Sequence, residues 1–266
     1  MLTIILGALV GLLLGLTGAG GGILAIPALT LGLGWTLINA TPVALLAVGV
    51  AAAVGAADGL RKGLVRYKAA ALMAGAGWLV SPLGLHLAKW LPGAALMALF
   101  GSVMVWVSVH MFLKARAGCP ADEDMDPKNC QLNPSTGHLK WDVRCATTLA
   151  SIGATAGFLT GLLGVGGGFL IVPAFRKFSD VPMHGIVATS LMVVALVSLG
   201  TLGHLVYQGF SLSEEGVLFI CATLAGMIVG RVVAPNVSGQ RMQQGFAVLC
   251  AVVSVLMIGK VLLMMV

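Results

Sequence analysis

Two short stretches of this chain have the residue types to bind an anion through backbone groups alone. GLTGAGGGILAIP (Gly15 to Pro27) returns as GLLGVGGGFLIVP (Gly161 to Pro173), with eight identities at a constant offset of 146: Gly15/Gly161, Leu16/Leu162, Gly18/Gly164, Gly20/Gly166, Gly21/Gly167, Gly22/Gly168, Leu24/Leu170 and Pro27/Pro173. Glycine has no Cβ, so a ligand can approach the main chain closely and the chain can take positive φ. A helix that restarts after such a break opens with N–H groups that lack an intrahelical partner, at the positive end of its dipole. Donors of that kind suit an oxyanion. The candidate contacts are Gly18, Gly20, Gly21 and Gly22 in the first copy and Gly164, Gly166, Gly167 and Gly168 in the second. Hydroxyl and amide groups near them, on Thr17, Asn39, Thr41, Thr189 and Ser190, can complete an oxyanion's shell without a fixed charge. The competing reading is that the glycines only let helices pack closely and the hydroxyls bond to their own helix carbonyls.

Composition places these breaks in lipid. Apolar residues make up 59% of the chain and charged residues 9%, with a mean hydropathy of +1.04, so 27.1 kDa of protein has too few charges to cover a water-facing surface. A broken helix in hydrocarbon must face protein or a polar cavity, and two breaks at corresponding places point to the central site of a transporter. The net charge of +6 comes from loops beside the membrane and sets orientation; it gives no ground for a nucleic-acid partner. No Asp, Glu, Lys, Arg or His precedes Asp58, so the start lacks the basic region of a cleaved secretory signal and is expected to stay in the fold.

The repeat extends past the glycines. INATPVALLA (Ile38 to Ala47) aligns with IVATSLMVVA (Ile186 to Ala195) at an offset of 148, and Gly84 to Gly93 aligns with Gly230 to Gly239 at 146. Each half thus holds a broken segment, 2–34 or 147–175, followed by three apolar spans of ~20 residues, enough to cross a bilayer. These spans are expected at 40–58, 69–88 and 94–114, then at 186–205, 215–234 and 244–264. The division is a first repeat 1–116, a polar cytoplasmic linker 117–145 and a second repeat 146–266.

Basic residues decide whether the broken segments cross or turn back. If they re-enter, each half has three spans, the second half is inverted, and only Lys89 and Lys260 lie outside. Full crossings would add Arg176, Lys177, Arg231 and Arg241 to the outside. The expected fold is therefore all-α integral membrane: two inverted repeats, each a glycine-broken re-entrant hairpin followed by three transmembrane helices, with both termini outside the cytoplasm. Inversion would set Gly20 to Gly22 opposite Gly166 to Gly168 at the midplane.

The doubled G-x-x-G-x-G-G-G-h-h-h-h-P pattern, followed by A-T-P or A-T-S, resembles the sulfite exporter TauE/SafE family of membrane permeases over both halves. The resemblance implies a multi-pass protein of the cell inner membrane that moves a small sulfur-containing anion such as sulfite, thiosulfate or an organosulfonate, usually outward, without catalysis. It implies no cofactor; a proton or cation is the possible coupling partner, and oligomeric state is left open.

Other groups carry weaker chemistry. Arg231, opposite Leu85 in the first half, is a steering candidate or snorkels to the headgroups, and His204, matching Asp58 at 146, is the first candidate for proton coupling. Cys119, Cys130 and Cys145 have no metal-ligand spacing and are expected to be reduced thiols beside the cytoplasm. Cys221 and Cys250 are expected to pack as small apolar residues. A transmembrane thiol oxidoreductase is the second reading; it needs paired membrane cysteines, and Cys221 and Cys250 both fall in the second half. There is no G-x-x-x-x-G-K-[ST], so ATP is not an expected energy source.

Overall fold

The computed structural model describes residues 1–116, 130, 142–164, 167–207, 212–233, 245 and 248–259, and the backbone alone at 19, 20, 37, 38, 110–116, 169, 183 and 201–207. In hydrocarbon every backbone polar group must be satisfied within the segment, and the described residues accordingly form helices. The order is α1 (Leu2–Thr17), a 3-10 turn (Gly18–Leu24), α2 (Ala25–Pro27), a π turn (Ala28–Gly32), α3 (Leu37–Arg61), α4 (Tyr67–Trp90), α5 (Gly93–Arg116), α6 (Val143–Leu163), α7 (Gly168–Phe178), α8 (Met183–Tyr207) and α9 (Glu214–Val233). A last apolar helix covers Val248–Gly259. Among the described residues four helices are long and apolar enough to cross a membrane: Asn39–Arg61, Tyr67–Trp90, Val143–Leu163 and Glu214–Val233. With exposed faces that carry Trp78, Leu79, Leu83 and Trp106, this is an all-α membrane protein.

The expected spans at 40–58, 69–88, 94–114, 186–205 and 215–234 fall on α3, α4, α5, α8 and α9. The second half begins earlier than expected, because Asp142 caps α6 and its carboxylate accepts the N–H of Val143 at 2.8 Å. Most of the 117–145 linker lies outside the described residues.

Small residues decide how the helices meet. A Cβ added to Gly7, Gly11 or Gly15 on α1 would strike the carbonyl oxygens of Phe219, Thr223 and Met227 on α9. On α6, a Cβ at Gly153, Gly157 or Gly161 would strike those of Met73, Gly77 and Ser81 on α4. The second set is the first displaced by 146 positions, with each half's opening helix packed on the other half's helix. Backbones this close gain dispersion and Cα–H···O contacts that bulkier side chains would forbid. Close packing therefore accounts for Gly15 and Gly161, the first glycines of the two motifs.

Contacts also give direction. Along α1 and α9 the contacting positions advance together, as they do along α6 and α4, so each pair is parallel. Gly49 meets Ser198 and Gly59 meets Ala188, so α3 and α8, which correspond in the two halves, run antiparallel through the centre.

Cys130 and Cys145 are bonded to each other, with Cα atoms 4.9 Å apart, and both are fully buried. The expectation of reduced thiols is corrected for these two, while Cys119 lies outside the described residues. Residue 130 pairs with the end of α7: its N–H donates to the Phe178 carbonyl at 3.0 Å and its carbonyl accepts the Asp180 N–H at 3.2 Å. That pairing carries the thiol to the start of α6, a proximity that spacing along the chain does not reveal.

Candidate functional site

Both motifs reverse the chain. α1 ends at Thr17, and Gly18 takes φ 73° and ψ −133°, a region that favours glycine. Gly21 then lies against the backbone of Leu13 and Leu14, and Gly32 lies against Leu6, so the segment returns along the helix it left. In the second copy Gly164 takes φ 70° and donates its N–H to the Thr160 carbonyl at 2.8 Å. Gly167, at φ 59°, folds back onto the Ala156 carbonyl and the Thr160 hydroxyl, and α7 leads away.

The two returning arms differ. In the second half a regular helix restarts at Gly168 and continues through Pro173 to Phe178, which presents first-turn N–H groups and a positive dipole end at the break. In the first half the break is a 3-10 turn, where i→i+3 bonds use the N–H groups locally; the N–H of Ala25, for example, donates to Gly22. A helical arm restarts in both copies, but it is a regular α-helix in the second alone; in the first it runs through 3-10, α and π turns over Gly18–Gly32.

The crests of the hairpins reach past the centre. Gly18 lies against Val187 on α8, and Gly164 lies against Thr41 on α3, the same contact displaced by 146. Thr41 and Val187 each sit in the second turn of their helix, and those helices are antiparallel. The crests therefore point to opposite faces and do not stand crest to crest. What meets the first break is the returning arm of the second: α7 packs against the Gly18–Leu24 turn. Gly21 and Gly167, folded back from their crests, face the helix each has just left, so glycine there is what lets the returning arm lie close.

The polar candidates divide. The Thr17 hydroxyl donates to the Leu13 carbonyl at 2.7 Å and the Ser190 hydroxyl to the Val187 carbonyl at 2.9 Å. Each has spent its single O–H within its own helix, so the helix-bonding alternative holds for both and neither can donate to an anion in this arrangement. Thr189 is fully buried and accepts the Arg66 N–H at 3.0 Å, which ties α8 to the start of α4. Thr41 is the polar candidate placed at a crest, while Asn39 is exposed in the first turn of α3. Gly166 and the His204 side chain lie outside the described residues, as do the surroundings of Gly20. Sequence reasoning missed Thr160, buried beneath Gly167 with its hydroxyl donating to Ala156 at 2.7 Å, and Val187, because the 148 offset had set Thr189 opposite Thr41.

Arg231 is paired. Its Nε donates to Asp58 Oδ2 at 2.9 Å, and Lys62 Nζ reaches the same oxygen at 3.0 Å. Cys221 is an exposed thiol on α9 and Cys250 a buried one, so the membrane cysteines are not joined to each other and Cys221 is not packed as expected.

Comparison with known proteins agrees with the helical membrane architecture. The sequence pattern of the family described as "Sulfite exporter TauE/SafE" matches residues 3–257. A "Probable membrane transporter protein" of Xylella fastidiosa (strain Temecula1) is 31% identical over 244 residues, covering 91% of this chain and 87% of its own length. Its counterpart in strain 9a5c is 30% identical over 247 residues, with 91% and 87% covered. The "Probable membrane transporter protein YunE" of Bacillus subtilis (strain 168) is 27% identical over 214 residues, covering 77% of this chain and 78% of its own. No solved structure matches the chain.

Proposed function

The chain belongs to the sulfite exporter TauE/SafE family of membrane transporters, and from that premise we propose that it is a secondary transporter, working as an exporter, of a small sulfur-containing anion such as sulfite, thiosulfate or an organosulfonate. The observation that carries this reading is the pair of glycine-enabled chain reversals whose contacts repeat at 146 positions with the halves exchanged. A fold of that kind presents two related arrangements of the same parts, which is what alternating access requires.

The anion is bound between the returning arms, where Gly22 and Gly168 leave the main chain bare, Gly21 and Gly167 let each arm fold back closely, and the first turn of α7 supplies donors. Backbone donors without a fixed charge hold an anion loosely enough to release it. Rocking of the inverted halves about α3 and α8 then exposes the site to one face at a time, with a proton or cation as the possible coupling partner. In this reading the halves are 1–116 and, from the observed start of α6, 143–266.

The side bearing Arg61, Lys62, Arg66 and Lys68 is the cytoplasmic one, in an inner membrane, with both termini outside. The Cys130–Cys145 bridge pulls the other way, because disulfides persist in oxidising compartments. The charges act together during insertion and set the orientation, whereas one bridge forms only afterwards. The thiol-oxidoreductase reading loses support, since the bridge joins the linker to the start of α6 and the membrane thiols Cys221 and Cys250 are not partners. Flux into proteoliposomes across sulfite, thiosulfate, sulfate, sulfoacetate and taurine, with and without a proton gradient, tests the proposal. Movement of at least one sulfur-containing anion above protein-free liposomes is expected; movement of none defeats it.

A further inference from the structure

The Asp58–Arg231 pair joins the two halves at one face of the molecule and has no ionic equivalent at the other. Arg231 corresponds to Leu85, and the structure shows the equivalence directly: a Cβ on Gly15 would lie 2.9 Å from the Arg231 nitrogen, and one on Gly161 would lie 3.0 Å from the Leu85 nitrogen. Asp58 corresponds to His204. A leucine cannot form an ion pair, so the equivalent contact in the other half carries no Arg–Asp seam.

Its location is beside the first crest. Gly15 lies three positions before Gly18, and Gly59, next to Asp58, meets Ala188, the neighbour of Val187 on which Gly18 rests. Gly55 is what lets the guanidinium lie across α3, since a Cβ there would be 2.7 Å from Arg231 Nη1. The Arg231 side chain is 23% exposed and that of Asp58 37%, so the pair sits at the mouth of the seam and is neither deep in the core nor free in solvent. Lys62, at 61%, is the outermost member and holds the same carboxylate oxygen from the solvent side.

We propose that Asp58 and Arg231 are gate residues: their pair latches the seam between α3 and α9 and closes the path from the Arg61–Lys68 face to the Gly18–Val187 crest. This rests on the reading that the halves move against one another, but not on which anion is moved. Separating the seam leaves the Arg231 guanidinium without its carboxylate, while Asp58 keeps Lys62, and this loss disfavours opening on this face. On the opposite face Leu85 imposes no such electrostatic cost. The pair thus biases the resting transporter toward closure on one named side, and a secondary effect of losing it is a leakier route to the first break.

The test is labelling of Val187→Cys by a membrane-impermeant thiol reagent, in a background lacking Cys119, Cys221 and Cys250, with Lys68→Cys marking the relevant face and confirming insertion. Asp58→Asn or Arg231→Gln should each raise the labelling rate from the Lys68 face roughly threefold to fivefold, the range for a partly exposed pair, and leave the opposite face unchanged. The double variant should label no faster than either single one, because both remove the same interaction. Wild-type rates in both single variants, equal rises from both faces, or additive effects in the double variant would each overturn the proposal. Since no transported anion enters the measurement, its failure is separate from failure of the transport reading.

Discussion

Gly164, at the crest of the second hairpin, lies against Thr41 of the other half with its carbons in the space a Cβ would need. The position also has φ 70°, so two independent costs meet in one substitution. Gly164→Ala should destabilise the protein by about 1–3 kcal/mol, combining left-handed strain with overpacking. Thermal unfolding in detergent measures this, and Thr41→Ser in the Gly164→Ala background should recover part of the loss but not the strain.

Helix seams built on glycine should be intolerant where the neighbour is backbone. Gly11→Ala on α1 and Gly157→Ala on α6 each push a methyl into a main-chain carbonyl of the partner helix, and a loss of about 1–3 kcal/mol is expected. Gly75→Ala, in the same kind of helix but with nothing within 4 Å of an added Cβ, should be neutral or slightly stabilising. Paired melting curves of the three variants decide this, and equal effects would show that seam contacts do not govern stability.

Thr189 and Thr17 carry hydroxyls with different duties. Thr189→Val removes the acceptor of the Arg66 N–H at a fully buried position and should cost about 1–3 kcal/mol, the penalty for stranding a donor. Thr17→Val removes a bond within α1 and should change both stability and flux little. A large loss of flux in Thr17→Val with unchanged stability would return that hydroxyl to the anion site.

Cys130 and Cys145 should resist alkylation in the native protein. After unfolding without reductant they should still fail to react, and adding a dithiol should expose two thiols, read as mass increments on the peptides that contain them. Alkylation of both without reductant would show that the bridge is absent. Cysteine-accessibility at position 125 from either side of sealed vesicles assigns the linker to its compartment, with the cytoplasmic side expected.

Much of this was readable before the fold. Glycine clusters announce their chain breaks because no other residue takes Gly18, Gly164 and Gly167 into positive φ at low cost, and six further apolar runs announce helices by length alone. What the sequence hid depends on distance. Asp58 and Arg231 are separated by 173 positions, Arg66 and Thr189 by 123, and nothing local marks either pair. The linker cysteines met through a backbone pairing at Ser179 that has no sequence signature. Matching motifs also concealed unlike backbones: identical glycines produce a 3-10 turn in one half and a restarted α-helix in the other. The alignment of Thr41 with Thr189 followed residue likeness, whereas the contacts follow Val187.

The central claim is that the folded-back glycines hold the transported anion, and flux through proteoliposomes containing equal inserted amounts of wild type, Gly75→Ala, Gly11→Ala, Gly21→Ala and Gly167→Ala tests it most directly. The account predicts wild-type flux for Gly75→Ala and at least a tenfold loss, about 1.4 kcal/mol or more, for Gly21→Ala and Gly167→Ala, and a smaller loss for the seam control Gly11→Ala, whose methyl meets backbone as closely but away from the breaks. Wild-type flux in Gly21→Ala and Gly167→Ala, or an equal loss in Gly11→Ala, would contradict it.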